Sequence, residues 1–125
     1  MITTPSTDAT VTLPPDQVTA RLSSDLPAWS LGEGCIQRVY KTDGWAHTLL
    51  LVNAIGYLCE AACHHPALVV SYQQVTVKLS THEPRGITEK DLELARLIES
   101  RVLWHPAPGA ALEGYERGFK KPWIK

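Results

Sequence analysis

The sequence predicts an α+β domain, an antiparallel sheet with helices packed on one face. Three observations carry that expectation. Apolar residues recur with a period of two in some stretches and with a helical period in others. These stretches follow one another as helix, hairpin, helix, hairpin, helix. The joins inside the hairpins are too short for the crossover that parallel strands need. With 125 residues, 44% hydrophobic and 20% charged, the chain suits one core rather than two.

Residues 1–15 are rich in Thr, Ser, Asp and Pro and read as a flexible lead-in. They carry no Lys or Arg and no apolar run, so they do not read as a secretory signal. Pro14, Pro15 and Asp16 introduce a first helix over Gln17–Leu26. From Trp29 the period changes. Ile36 and Arg38 alternate with Gln37 and Val39 along a strand, and Gly32 and Gly34 offer the positive φ of a turn back to Trp29.

A second helix is expected from Asp43 to about Cys63, with Asp43 as its N-cap. Its apolar stripe comprises Trp45, Leu49, Val52, Ile55 or Gly56, and Cys59, flanked by Leu51, Leu58 and Ala62. Pro66 should stop it, since proline disfavours helical angles at His65. Two strands follow, Leu68–Tyr72 and Val75–Thr81, joined at Gln73–Gln74. Val75, Val77, Leu79 and Thr81 share one face of the second, which leaves His82 at the exit of its polar face. Gly86 breaks the chain before a last helix, Thr88 to about Val102, with Leu94, Ala95, Ile98 and Val102 inward. Thr88 and Asp91 have the spacing of a capping box.

The domain proper should therefore span 16–103, with 104–125 as a C-terminal extension. Its prolines and glycines forbid a long helix. Yet Trp104, Leu112, Tyr115, Phe119, Trp123 and Ile124 are too apolar for a solvated tail. We expect an arm wrapping the domain or a neighbouring subunit, anchored by Trp123, with a disordered tail or docking of a protein partner as the alternatives.

Bulk properties exclude several classes. A net charge of −1 and a pI near 6.5 give no basic surface for nucleic acid or anionic membranes. No apolar run is long enough to span a bilayer. Cys35, Cys59 and Cys63 are odd in number and form no CxxC pair, which points to free thiols in a reducing cytoplasm.

Chemistry concentrates between residues 60 and 91. His64 and His65 end a helix and His82 ends a strand, edges from which side chains can converge on a cleft. Imidazole is the side chain best suited to moving protons near neutral pH. Of the carboxylates here, Glu60 on its helix reads by default as solvated, and Asp91 as the N3 member of the capping box. A metal bound by Cys63, His64 or His65, and His82 finds no support in CxxC or HxxxH spacing, and none is expected.

The stretch Glu60-Ala61-Ala62-Cys63-His64-His65-Pro66, followed by Tyr72, His82 and Asp91, resembles the signature of the pterin-4a-carbinolamine dehydratase family. The words Val75-Thr76-Val77-Lys78-Leu79-Ser80-Thr81-His82-Glu83, Gly86-Ile87-Thr88 and Asp91-Leu92-Glu93-Leu94-Ala95 extend it, over roughly Gln17 to Val102. The resemblance implies a four-stranded antiparallel sheet backed by helices, a homodimer or homotetramer, and loss of water from 4a-hydroxytetrahydropterin to give quinonoid dihydropterin. That reaction serves pterin recycling and uses no metal or organic cofactor. It also implies roles: His64 and His82 as the acid/base pair, with Asp91 or Glu60 orienting an imidazole. His65 would hold the pterin, in a pocket to which Glu60, Pro66, Thr81 and Glu83 also belong. Cys63, Leu68 and Lys90 depart from the residues such proteins often carry, at the pocket rim. The rival reading is a scaffold of the same fold that serves as a dimerisation or assembly factor.

Overall fold

The computed structural model describes residues 8–118 and 121–125; Phe119 and the first seven residues of the lead-in lie outside these. The chain runs through α1 (Pro15–Asp25), β1 (Ser30–Leu31), β2 (Ile36–Lys41), α2 (Trp45–Ala62), β3 (Ala67–Ser71), β4 (Gln74–Leu79), β5 (Thr81–His82), β6 (Arg85–Gly86), α3 (Glu89–Val102) and α4 (Tyr115–Gly118). Strands β1 to β4 form an antiparallel sheet in the order β1-β2-β4-β3.

Register follows from the period of two. Ile36 faces Leu79, Tyr40 faces Val75 and Leu68 faces Val77, so these side chains share the inner face. Against it pack Val18 and Leu22 of α1, Leu51 and Ile55 of α2, and Leu94, Ala95 and Ile98 of α3, all buried. Each large aliphatic side chain so buried contributes ~1.5–3 kcal/mol. The outer face carries Gln37, Lys41, Gln74 and Lys78, with Val39 and Val69 among them.

Several boundaries differ from expectation, each for a local reason. The first helix starts at Pro15, where a missing N–H costs nothing at a helix N-terminus. Gly34, with φ 70°, turns the first hairpin, and Gly32 is not in the left-handed region. The second hairpin closes one residue early, because Ser71 pairs with Gln74 across Tyr72-Gln73.

Asp43 does not cap α2. The position before Trp45 is Gly44, and the side-chain oxygen near its N–H belongs to Thr42, at 3.4 Å. The buried stripe of α2 is Thr48, Leu51, Ile55 and Cys59, whereas Trp45 and Leu49 are exposed. Thr48 can be buried because its hydroxyl reaches both Thr42 Oγ1 (2.6 Å) and the Tyr72 carbonyl (3.0 Å).

The end of α2 is set by Cys63 rather than by Pro66. Cys63 adopts a left-handed conformation (φ 54°, ψ 40°). Its N–H meets the Glu60 carbonyl and that of His64 meets the Cys59 carbonyl. This is the double hydrogen bond of a Schellman turn. Strand β4 likewise ends at Leu79. The chain leaves the sheet at Ser80, and Thr81 and His82 pair instead with Gly86 and Arg85.

Candidate active site

Two turns bring the site together. The Schellman turn throws His64 and His65 to different sides, since residues just past it are no longer in helical register. His64 is nearly buried and reaches α3, where its Nε2 lies 2.7 Å from Asp91 Oδ1. His65 stays in solvent, and its Nε2 meets Glu60 Oε1 at 2.8 Å on the surface of α2.

Asp91 is fully buried, and each of its oxygens is accounted for. Oδ2 accepts from the Thr88 backbone N–H (2.9 Å) and from Thr81 Oγ1 (2.8 Å). An ionised carboxylate can only accept, so Thr81 must be the donor. Thr81 Oγ1 then has to accept from Thr88 Oγ1, 2.8 Å away, which in turn accepts from the Lys90 N–H. The direction of the whole chain follows: Lys90 N–H to Thr88, Thr88 to Thr81, Thr81 to Asp91. A carboxylate held this way and facing His64 accepts a hydrogen bond from the Nε2–H. Nδ1 of His64 then carries the lone pair, and among the described residues it has no hydrogen-bond partner.

Thr81 and His82 are neighbours on β5, so alternation turns one inward to Asp91 and the other outward. His82 is exposed, as are Glu83 and Glu60; Pro66 is half-buried. The structure thus joins His64, Asp91, Thr81 and Thr88 in one network and His65 with Glu60 in another. His82 adjoins the first through the backbone and makes no side-chain hydrogen bond to it. His64 and Cys63 also line a groove of about 1080 Å³ between α1, α2 and α3, floored by Leu26, Leu94 and Leu97. His65, His82 and Glu60 lie outside its lining. Among the described residues, no cluster of His, Cys, Asp or Glu has the makings of a metal site.

Thr88 was legible only as a helix cap, and its link to Thr81 was not expected. A second polar cluster went unread altogether. Glu99 of α3 accepts from Trp29 Nε1 (3.2 Å), Arg38 Nε (3.1 Å) and Tyr40 Oη (2.6 Å). Burial, then the Glu99 carboxylate, holds the Tyr40 hydroxyl well above its usual range. No local pattern announces such a cluster, since Glu99 lies about sixty residues or more from each of its three partners.

An α+β fold with a four-stranded antiparallel sheet and this histidine–aspartate pair defines a narrow class. The chain belongs to the pterin 4 alpha carbinolamine dehydratase family, whose pattern matches residues 11–101. It is similar to a protein of Aquifex aeolicus (strain VF5), 46% identical over 78 residues that cover 62% of this chain and 79% of that one. A protein of Acidobacterium capsulatum is 39% identical over 88 residues, 70% of this chain and 95% of the other. Both relatives are provisionally named pterin-4-alpha-carbinolamine dehydratase. Among solved structures, the transcriptional coactivator/pterin dehydratase from Brucella melitensis superposes with a TM-score of 0.65. It is 26% identical, over 72% of this chain and 97% of that one.

Proposed function

We propose that this chain dehydrates a 4a-hydroxytetrahydropterin to the quinonoid dihydropterin and water, by histidine acid–base catalysis without metal or organic cofactor. The observation that carries this reading is the buried Asp91 carboxylate on His64 Nε2. It holds one tautomer, with Nδ1 as a proton acceptor, and faces the imidazolium that forms when Nδ1 takes a proton. His64 is then the base that removes the proton from the ring nitrogen next to C4a. That N–H electron pair becomes the C=N bond as the C4a–O bond breaks. His82, exposed and unpaired with Asp91, delivers the proton that lets the hydroxyl leave as water.

His65, braced by Glu60, contacts the pterin together with Pro66 and Glu83. Thr81 acts through Asp91, because its one proton is already given to that carboxylate. Asp91 and Thr81 are positioning residues. The free thiols Cys35, Cys59 and Cys63 fit a reducing cytoplasm, and no helix among the described residues is long and apolar enough to cross a membrane.

A second reading has one observation in its favour. The Brucella melitensis structure is titled both coactivator and dehydratase, which supports reading this chain as a binding, dimerisation or assembly scaffold. Turnover separates the two. The intact chain should dehydrate a pterin carbinolamine, and His64→Ala or His82→Ala should each lower the rate by about 10²-fold or more while leaving the fold intact. An intact chain with no rate above the uncatalysed one establishes the scaffold reading. Full activity in both variants overturns the acid/base roles.

A further inference from the structure

The two edges of the sheet are treated differently. On one side β1, only two residues long, covers just the start of β2, and along β2 alternation points the backbone groups of Gln37, Val39 and Lys41 away from β4. Gln37 pairs with Ser30 of β1. The Val39 carbonyl accepts from the guanidinium of its own neighbour Arg38, at 2.8 Å. Lys41 is met by the extension: its N–H and C=O exchange hydrogen bonds with Lys125, both at 2.9 Å, and Thr42 bridges to Ile124. The same segment is fastened by Trp123, whose ring lies 4.6 Å from that of His47 on α2, and by packing of Ile124 against the core.

The opposite edge has no such cover. Strand β3 reads Ala-Leu-Val-Val-Ser, with no charge and no proline. Its outer edge has no backbone partner among the described residues, and Val69 is 52% exposed. Natural sheets guard edges with charge, short strands or a covering segment, and an unguarded apolar edge invites a further strand.

We infer that residues 121–125 are an edge guard: they close the far end of β2, so that a second copy of this chain can add its strand only at β3. The extension lies beyond residues 11–101, the stretch that the family pattern matches. One copy then offers one pairing edge, and association through the sheet stops at a closed pair. With the guard released, each copy offers two edges and strands can add at both ends.

The test uses the full chain with Trp123→Ala and Lys125→Pro together. Proline lacks the N–H that bonds the Lys41 carbonyl, and alanine removes the ring packed against His47. Release is read as new protease cleavage within 104–125, folding as the circular dichroism spectrum, and assembly as light-scattering mass against concentration. We expect the folded variant to grow with concentration to at least about twice the mass of the parent assembly. Adding Val69→Lys to β3 should hold it below that. A released, folded variant with the parent's mass at every concentration overturns the inference. So does a variant whose tail stays docked, because the fastening then lies elsewhere. If the double variant unfolds, Lys125→Pro alone decides on the same mass criterion.

Discussion

Asp91 serves two structures with its two oxygens. Oδ2 closes the N-terminus of α3 through the Thr88 N–H, and Oδ1 holds His64. An amide in its place would present hydrogens to a site whose neighbours are all donors. Asp91→Asn should therefore cost stability, about 1–3 kcal/mol for the unsatisfied buried groups. It should also lower kcat by about 10²-fold, since the tautomer of His64 is no longer held. Thr81→Val removes one donor to Asp91 but leaves both His64 and the carboxylate. Its stability loss should match that of Asp91→Asn while its kcat falls much less. Urea midpoints and steady-state kinetics on the two variants check this. If Asp91→Asn loses stability but keeps full kcat, Asp91 is a helix cap and nothing more.

How an element settles into the fold was legible to different degrees. In α3, Lys90, Glu93 and Arg96 bracket Leu94, Ala95 and Ile98, so polarity fixed which face turned inward. Helix α2 offers no such contrast. Leu49, Leu50, Leu51 and Val52 are consecutive, and their spacing leaves the helix free to be rotated. What fixes its phase is Thr48, a polar residue buried by hydrogen bonds to the Thr42 hydroxyl just before the helix and to the Tyr72 carbonyl in the second hairpin. The histidines were legible as a sequence motif because its residue types are few and their spacing specific. The network behind it was not, since Thr81 and Thr88 have ordinary roles in a strand and a cap.

The seat of α2 can be tested through Cys59. Burial pushes its thiol up from 9.0 to about 11. The folded state thus keeps a proton that the unfolded chain loses first, and this contribution is complete below pH 9. It is lost as pH rises from 9 towards 11. A shift of this size corresponds to about 2–3 kcal/mol. Over that window the parent should lose stability more steeply than Cys59→Ala, whatever the offset between the two curves. Urea midpoints across the window measure it, and parallel curves would mean the thiol is not desolvated.

At the scale of the whole molecule, much of the exposed apolar surface falls on two elements. Val69, Val70 and Tyr72 lie along and just beyond β3, and Trp45, Leu49, Leu50 and Tyr57 lie on the outward side of α2. Contiguous patches of this kind mark interaction sites, and here they offer two separate surfaces. An edge strand joins two copies by a two-fold axis into a continuous sheet. A helix face packs pairs of copies against one another. Use of both contacts would make the homodimer and the homotetramer successive states. We therefore expect the intact chain to scatter light as a dimer or tetramer at micromolar concentration. Val69→Lys places a charge beside the pairing edge and should dissociate the pair. Leu50→Lys acts on the helix face alone, so it should reduce a tetramer to a dimer and leave a dimer unchanged. Both positions are exposed, so neither substitution should disturb folding of the single chain. An intact chain that stays monomeric refutes the assembly. A Val69→Lys variant with undiminished mass removes β3 from it and leaves α2 as the joining surface.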